Sequence, residues 1–200
     1  MKTMKTIKLL AVLFISSLVI TSCGDDDVIE DPNVEELITT ITYTLTNGSD
    51  VVTLKYTDLD GEGGSDGTYT ISGPFTAGAS YTGSIKLENE TESPAENITE
   101  EIEEEDEEHE FFYTSSLDCT FCSLVIDKTD VDGNGNPVGL ETSLFFDTPA
   151  TDGSITLVLK HEPSKPNDGT SADARGSTDV EVSFNICLLY TSPSPRDLQG

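Results

Sequence analysis

The sequence predicts an all-β chain: an antiparallel β-sandwich or up-and-down barrel of about nine strands, in two meander halves. Three observations carry that prediction. Apolar and polar residues alternate with a period of two in one short segment after another, turn chemistry separates the segments, and no helical period of 3.6 recurs. Threonine is abundant at the outward positions, as suits a sheet with one wet face.

Taken in order, Ile41, Tyr43 and Leu45 alternate with Thr42, Thr44 and Thr46, and Asn47-Gly48 then supplies a hairpin turn. Val52, Leu54 and Tyr56 form the return strand, followed by Tyr69 with Ile71 and by Tyr81, Gly83, Ile85 and Leu87. Phe111 with Tyr113, Phe121 to Ile126, Leu140 to Phe146, Ile155-Leu157-Leu159 and Val180-Val182-Phe184-Ile186 complete the series. The expected core is Ile41, Tyr43, Leu45, Val52, Leu54, Ile85, Leu87, Leu124, Ile126, Leu157, Leu159, Val182 and Phe184.

One stretch breaks the alternation. Nine of the eleven residues from Glu100 to Glu110 are acidic, and Asn97 stands three residues before Glu100, as in a capping box. Acidic residues suit a helix N-terminus, but like charges four apart oppose a helix beyond its first turn. The segment reads as one short acidic surface helix near 95–107, or as an acidic loop. On either side the chain echoes itself. Thr57-Asp58-Leu59-Asp60-Gly61-Glu62-Gly63 returns as Thr129-Asp130-Val131-Asp132-Gly133-Asn134-Gly135, and Gly83-Ser84-Ile85-Lys86-Leu87 as Gly153-Ser154-Ile155-Thr156-Leu157. A β domain over 37–186 follows, with pseudo-repeat halves at about 37–93 and 109–186 joined by the acidic segment 94–108. Neither half is large enough to stand securely alone, so one shared core is expected.

The flanks read differently. Lys2, Lys5 and Lys8 form a positive n-region, and Ile7 to Ile20 is an apolar core interrupted only by Lys8, Ser16 and Ser17, too short for a comfortable membrane span and suited to a signal peptide over 1–22. Ile20-Thr21-Ser22-Cys23 resembles a lipobox, which implies that Cys23 is lipidated and becomes the mature N-terminus, anchored by several acyl chains. Residues 23–36 form an acidic tether. Its opening Gly24-Asp25-Asp26-Asp27 resembles the surface-export signal of Bacteroidetes lipoproteins, which implies the outer membrane, on its periplasmic or extracellular face. At the other end, Cys187 to Asp197 resembles, residue for residue, a translated sequencing adapter. Residues 187–200 are therefore expected to be non-native, with the natural chain continuing past Ile186.

Composition narrows the partners. With 38 Asp and Glu against 10 Lys and Arg, the formal charge is −28. That sign repels nucleic acid and anionic lipid and attracts cations. No nucleophile elbow, phosphate-binding glycine loop or His-Glu-x-x-His motif occurs, so the chain does not read as an enzyme. Cys119 and Cys122 are too few for a zinc site and sit in strand-like surroundings, as thiols or as a local disulfide. Calcium is a candidate cofactor. Asp58, Asp60 and Glu62, and likewise Asp130, Asp132 and Asn134, alternate around Gly-rich turns, and hard Ca²⁺ takes six to eight oxygens. Asp-Gly is equally a plain hairpin turn. His109 and His161, each followed by Glu, are a further candidate pair for a softer metal.

A resemblance extends over the natural chain. Asn97-Ile98-Thr99-Glu100-Glu101, with Lys160-His161-Glu162-Pro163 and Lys165-Pro166-Asn167, resembles small acidic lipoproteins of flavobacteria. Such proteins are often identified with a type 1 periplasmic binding fold, which alternates strands with amphipathic helices. The resemblance implies a lipid-anchored, solute-binding or accessory module, working with an outer-membrane receptor of the TonB-dependent kind. The alternative is a structural or adhesive envelope lipoprotein without a small-molecule ligand, whose charge serves hydration and divalent crosslinking.

Overall fold

The computed structural model describes residues 36–60, 66–73, 75–76, 78–117, 124–146 and 152–187. All lie in the second of two compact units, Met1–Val34 and Glu35–Gly200. Cys23, Glu62, Cys119, Cys122 and residues 188–200 lie outside the described residues.

The described residues form nine strands: β1 (Thr40–Asn47), β2 (Asp50–Thr57), β3 (Thr68–Ser72), β4 (Ser80–Glu88), β5 (His109–Leu117), β6 (Leu124–Lys128), β7 (Glu141–Phe146), β8 (Asp152–His161) and β9 (Ser177–Cys187). All pairings between them are antiparallel. One sheet has the order β3-β2-β1-β4-β7-β6 and the other β5-β8-β9. This is the all-β, sandwich-like architecture that the alternation predicts. No βαβ unit occurs among the described residues, and none of their helices is long and apolar enough to cross a membrane.

Some strand pairings recur on either side of the acidic segment, although β1 pairs with β2 while β5 and β6 lie in different sheets. β1 pairs with β4 as β5 pairs with β8, and β2 pairs with β3 as β6 pairs with β7. The second half is shared between the sheets, with β6 and β7 extending the first and β5 and β8 founding the other. One core therefore serves both halves. Ile41, Tyr43, Leu45, Val52 and Leu54 from the six-stranded sheet meet Phe111, Leu157, Leu159, Val182 and Phe184 from the three-stranded one. Tyr43 and Tyr113 meet across the layers as a tilted pair at 5.7 Å, and Tyr69 meets Phe184 edge-on at 5.7 Å. Leu124 and Ile126 are only partly buried, because β6 is a sheet edge.

Gly83 marks a close approach between strands. A Cβ there would lie 2.3 Å from Thr142 Oγ1 and 2.7 Å from Tyr43 Cε2. Those two side chains share a buried 2.7 Å hydrogen bond across it. Burial, which disfavours the phenolate, pushes the Tyr43 hydroxyl up to about 12, so the ring stays neutral and able to donate.

The acidic segment resolves as helix α1 (Ile98–Glu104). Ile98 and Ile102 are buried, one turn apart, and this apolar pair docks a helix that its charge alone would not support. Asn97 holds the N-cap position without a side-chain cap bond; its amide donates to the Glu100 carboxylate instead. A second helix, unforeseen by the sequence pattern, is the single turn α2 (Ser171–Ala174), capped by Thr170 Oγ1 accepting from Asp173 N–H. Its Ala174 closes over Phe112 and Val158 on the outer face of the three-stranded sheet.

Candidate metal centre

The core-facing ladder between β5 and β8 runs Tyr113–Leu157, Phe111–Leu159, then His109–His161. The last rung is thus a directly opposed histidine pair, with ring centroids 4.7 Å apart. Both residues are buried, at 0% and 1% exposure.

Two carboxylates complete the cluster. Glu36 comes from the segment that leads into β1. Asp179 comes from β9, where Val180 faces Leu159 and Thr178 faces Lys160. Asp179 is therefore the extra residue of a β-bulge, the device by which a strand re-aims one side chain. Glu36 Oε1 lies 3.2 Å from His109 Nε2, and Glu36 Oε2 lies 3.7 Å from His161 Nδ1. Asp179 lies 4.0 Å from each ring, Oδ2 toward His109 and Oδ1 toward His161. Donor atoms of all four residues fall within 4.8 Å of one another. In a tetrahedral site with bonds of about 2.0–2.1 Å, donors sit roughly 3.3 Å apart, so modest contraction would suffice.

The electrostatics call for positive charge. Burial works against the charged form of Glu36, but the His109 hydrogen bond and the neighbouring imidazoles outweigh it and hold the carboxyl below its ordinary value. Burial likewise opposes a charged His109. Glu36, the Glu105 carbonyl and Asp179 overcome it and raise the imidazole above its ordinary value. His109 Nδ1–H donates to the Glu105 carbonyl at 3.1 Å, which fixes the ring and turns Nε2 toward the carboxylates. Metal-ligating histidines are oriented in this way by a partner on the other nitrogen. Neither nitrogen of the buried His161 has a hydrogen-bond partner among the described residues. A buried polar atom left so is costly unless a proton or a metal ion satisfies the site. The cluster is therefore chemically fit to coordinate a metal ion.

The turn carboxylates are engaged differently. Asp130 accepts from the backbone N–H groups of Gly139 and Leu140. Asp132 Oδ1 accepts from those of Asn134 and Asn136, while Oδ2 pairs with Lys165 at 3.3 Å. Burial alone would raise Asp132, but these bonds hold its carboxyl below the ordinary value. Asp58 accepts from the Tyr56 hydroxyl and from the Asp60 N–H. Neither turn supplies a convergent donor cluster among the described residues. The sequence pattern singled out His109 and His161 but missed Glu36 and Asp179. The bulge in β9 brings Asp179 into place, and Glu36 arrives on the segment that precedes β1.

Comparison with protein-family models, with curated proteins and with solved structures finds no match for this chain. The class is therefore defined by fold and site alone: an all-β, two-sheet domain with a buried cluster of two histidines and two carboxylates at one end of its core.

Proposed function

We propose that this chain is a lipid-anchored envelope module that binds a divalent transition-metal ion, with Glu36, His109, His161 and Asp179 as ligands. The observation that carries the reading is the pair of buried imidazoles facing two buried carboxylates. Two carboxylates neutralise one divalent ion, which is the condition for holding it away from water. Imidazole suits zinc, copper, iron and nickel, whereas calcium prefers oxygen ligands alone. The donor set thus favours the borderline metals over the calcium that the Asp-Gly turns suggest.

When bound, the ion would supply a crosslink. It would join the chain entering β1 to β5, β8 and β9, and so fasten the root of the tether to the three-stranded sheet. A groove of about 610 Å³, lined in part by Glu36, Asp58, Asp60, Asp179 and Glu181, opens beside the cluster and gives a cation an acidic approach. Reversible loading through this groove fits a solute-binding or accessory module, with the metal as solute and an outer-membrane receptor as its partner. A second reading, a structural envelope lipoprotein, draws support from how closed the site is. Side-chain exposure is 7% at Glu36 and 2% or less at the other three, as in structural metal sites.

Calorimetric titration of the metal-stripped protein with Zn²⁺ tests the reading. One tight equivalent is expected, lost in His109→Ala and in His161→Ala while the β-sheet circular dichroism persists. A tight equivalent that survives both variants would sink it. Anchoring is tested apart from metal, by fatty-acid labelling in a lipoprotein-processing host, which Cys23→Ala should abolish.

A further inference from the structure

His161 belongs to two donor sets. Besides the inner cluster, a ligand atom of His161 lies within 4.8 Å of carboxylate oxygens of Glu108 and Glu162, which themselves lie within that distance of each other. Glu108 and Glu162 are exposed, while His161 is buried. The backbone fixes this outer trio. Glu162 N–H donates to the Glu108 carbonyl at 2.7 Å, and so sets the two acidic residues side by side where the β5 and β8 ends meet. Glu162 adopts a left-handed φ of 49°, a costly conformation for a non-glycine residue. Gly176 sits so close that a Cβ there would fall 2.2 Å from the His161 carbonyl oxygen.

An imidazole ring has two nitrogens on opposite sides. Nδ1 of His161 is turned toward Glu36 and Asp179, at 3.7 Å and 4.0 Å. Nε2 is then the ring's remaining donor, buried and without a hydrogen-bond partner among the described residues. A neutral imidazole can ligate through one nitrogen only, because the other keeps its proton. A second cation at Nε2 would displace that proton to the buffer and turn the ring into a bridge between two ions.

We propose that Glu108, Glu162 and His161 Nε2 form a second, solvent-facing position for a divalent transition-metal ion, joined to the inner ion through the His161 imidazolate. This rests on the inner cluster's being a metal site. The outer position has one nitrogen and two carboxylate ligands and leaves the ion open to water. It is thus the exchangeable member of the pair, whereas the inner ion is enclosed by four protein ligands. The ring they share makes occupancy of one position felt at the other.

Copper is the probe, because Cu²⁺ binds N/O sites most tightly among the divalent first-row metals and carries one unpaired electron. Two Cu²⁺ ions bridged by imidazolate couple their spins, whereas ions bound elsewhere on an acidic surface add independent signals. Electron paramagnetic resonance of the metal-stripped full chain is followed as Cu²⁺ is added. The first equivalent should give one spin per chain, and the second should lower the total at low temperature. In Glu108→Gln with Glu162→Gln, both exposed, the first equivalent should be unchanged and the second should no longer lower the signal. Two additive spins in the unaltered protein would overturn the bridge, as would a signal loss that persists in the double variant. Failure of the inner site would show separately, as a first equivalent indifferent to His109→Ala.

Discussion

Metal binding at the inner cluster should make this domain's stability rise with pH across a range where the metal-free contribution of the same groups is flat. Without metal, His109 carries an imidazole raised above its ordinary 6.5 by Glu36 and Asp179. Its stabilising contribution is complete below the unfolded value and is lost as pH rises through the higher folded value. Glu36, lowered from 4.5, contributes stability that is present above that value and is lost as pH falls through the lower folded one. Between them, the metal-free domain gains most at pH values between 4.5 and 6.5 and weakens above that window. A metal ion takes the place of the His109 proton, so binding releases at least one proton below the folded imidazole value. Apparent affinity then rises at least tenfold per pH unit there, about 1.4 kcal/mol of linked stability at saturating metal. For a domain of this size that amounts to roughly 3–6 °C in Tm between pH 5 and pH 6. Differential scanning calorimetry with and without Zn²⁺, at fixed ionic strength, reads both slopes. An affinity independent of pH across this range would refute the assignment of His109 as a ligand.

Two other perturbations separate fold from site. Gly83→Ala should cost about 2–4 kcal/mol in urea denaturation, since its Cβ enters the Tyr43–Thr142 contact, adding overpacking of about 1–3 kcal/mol to a lost hydrogen bond worth roughly 1 kcal/mol. A change under about 0.5 kcal/mol would show that the strands separate freely there. Millimolar Ca²⁺ should raise Tm no more than Mg²⁺ at matched ionic strength, and Asp60→Ala with Asp132→Ala should leave that increment unchanged, because Asp132 is committed to backbone amides and Lys165. A calcium-specific gain lost in that double variant would restore the turns as cation sites.

The inner strands were legible because one face of each meets the core, which imposes the period of two on Tyr43, Leu54, Leu157 and Val182. Sheet membership was not. Phe111 and Phe112 are both buried, because α2 covers the outer face of β5, so alternation fails where two layers meet. The buried pair Ile98 and Ile102 was overshadowed by the charges around it. At the site, the histidines stood out because the chain has only 2, whereas Glu36 and Asp179 are two carboxylates among 38. Nothing local distinguishes them. Asp179 gains its place from a register shift that belongs to the pairing of β8 with β9 and not to the residues of β9 alone.

That bulge gives the site an unusual genetic arithmetic. Removing the single codon for Asp179 would let Thr178 and Val180 become neighbours across from Lys160 and Leu159, restoring an unbroken ladder. Most lesions that abolish a buried cluster also damage the sheet around it. Here one in-frame deletion would remove a carboxylate from the cluster and regularise the strand at once, so a lineage could lose the proposed metal site without losing the fold, and regain it through a single three-base insertion.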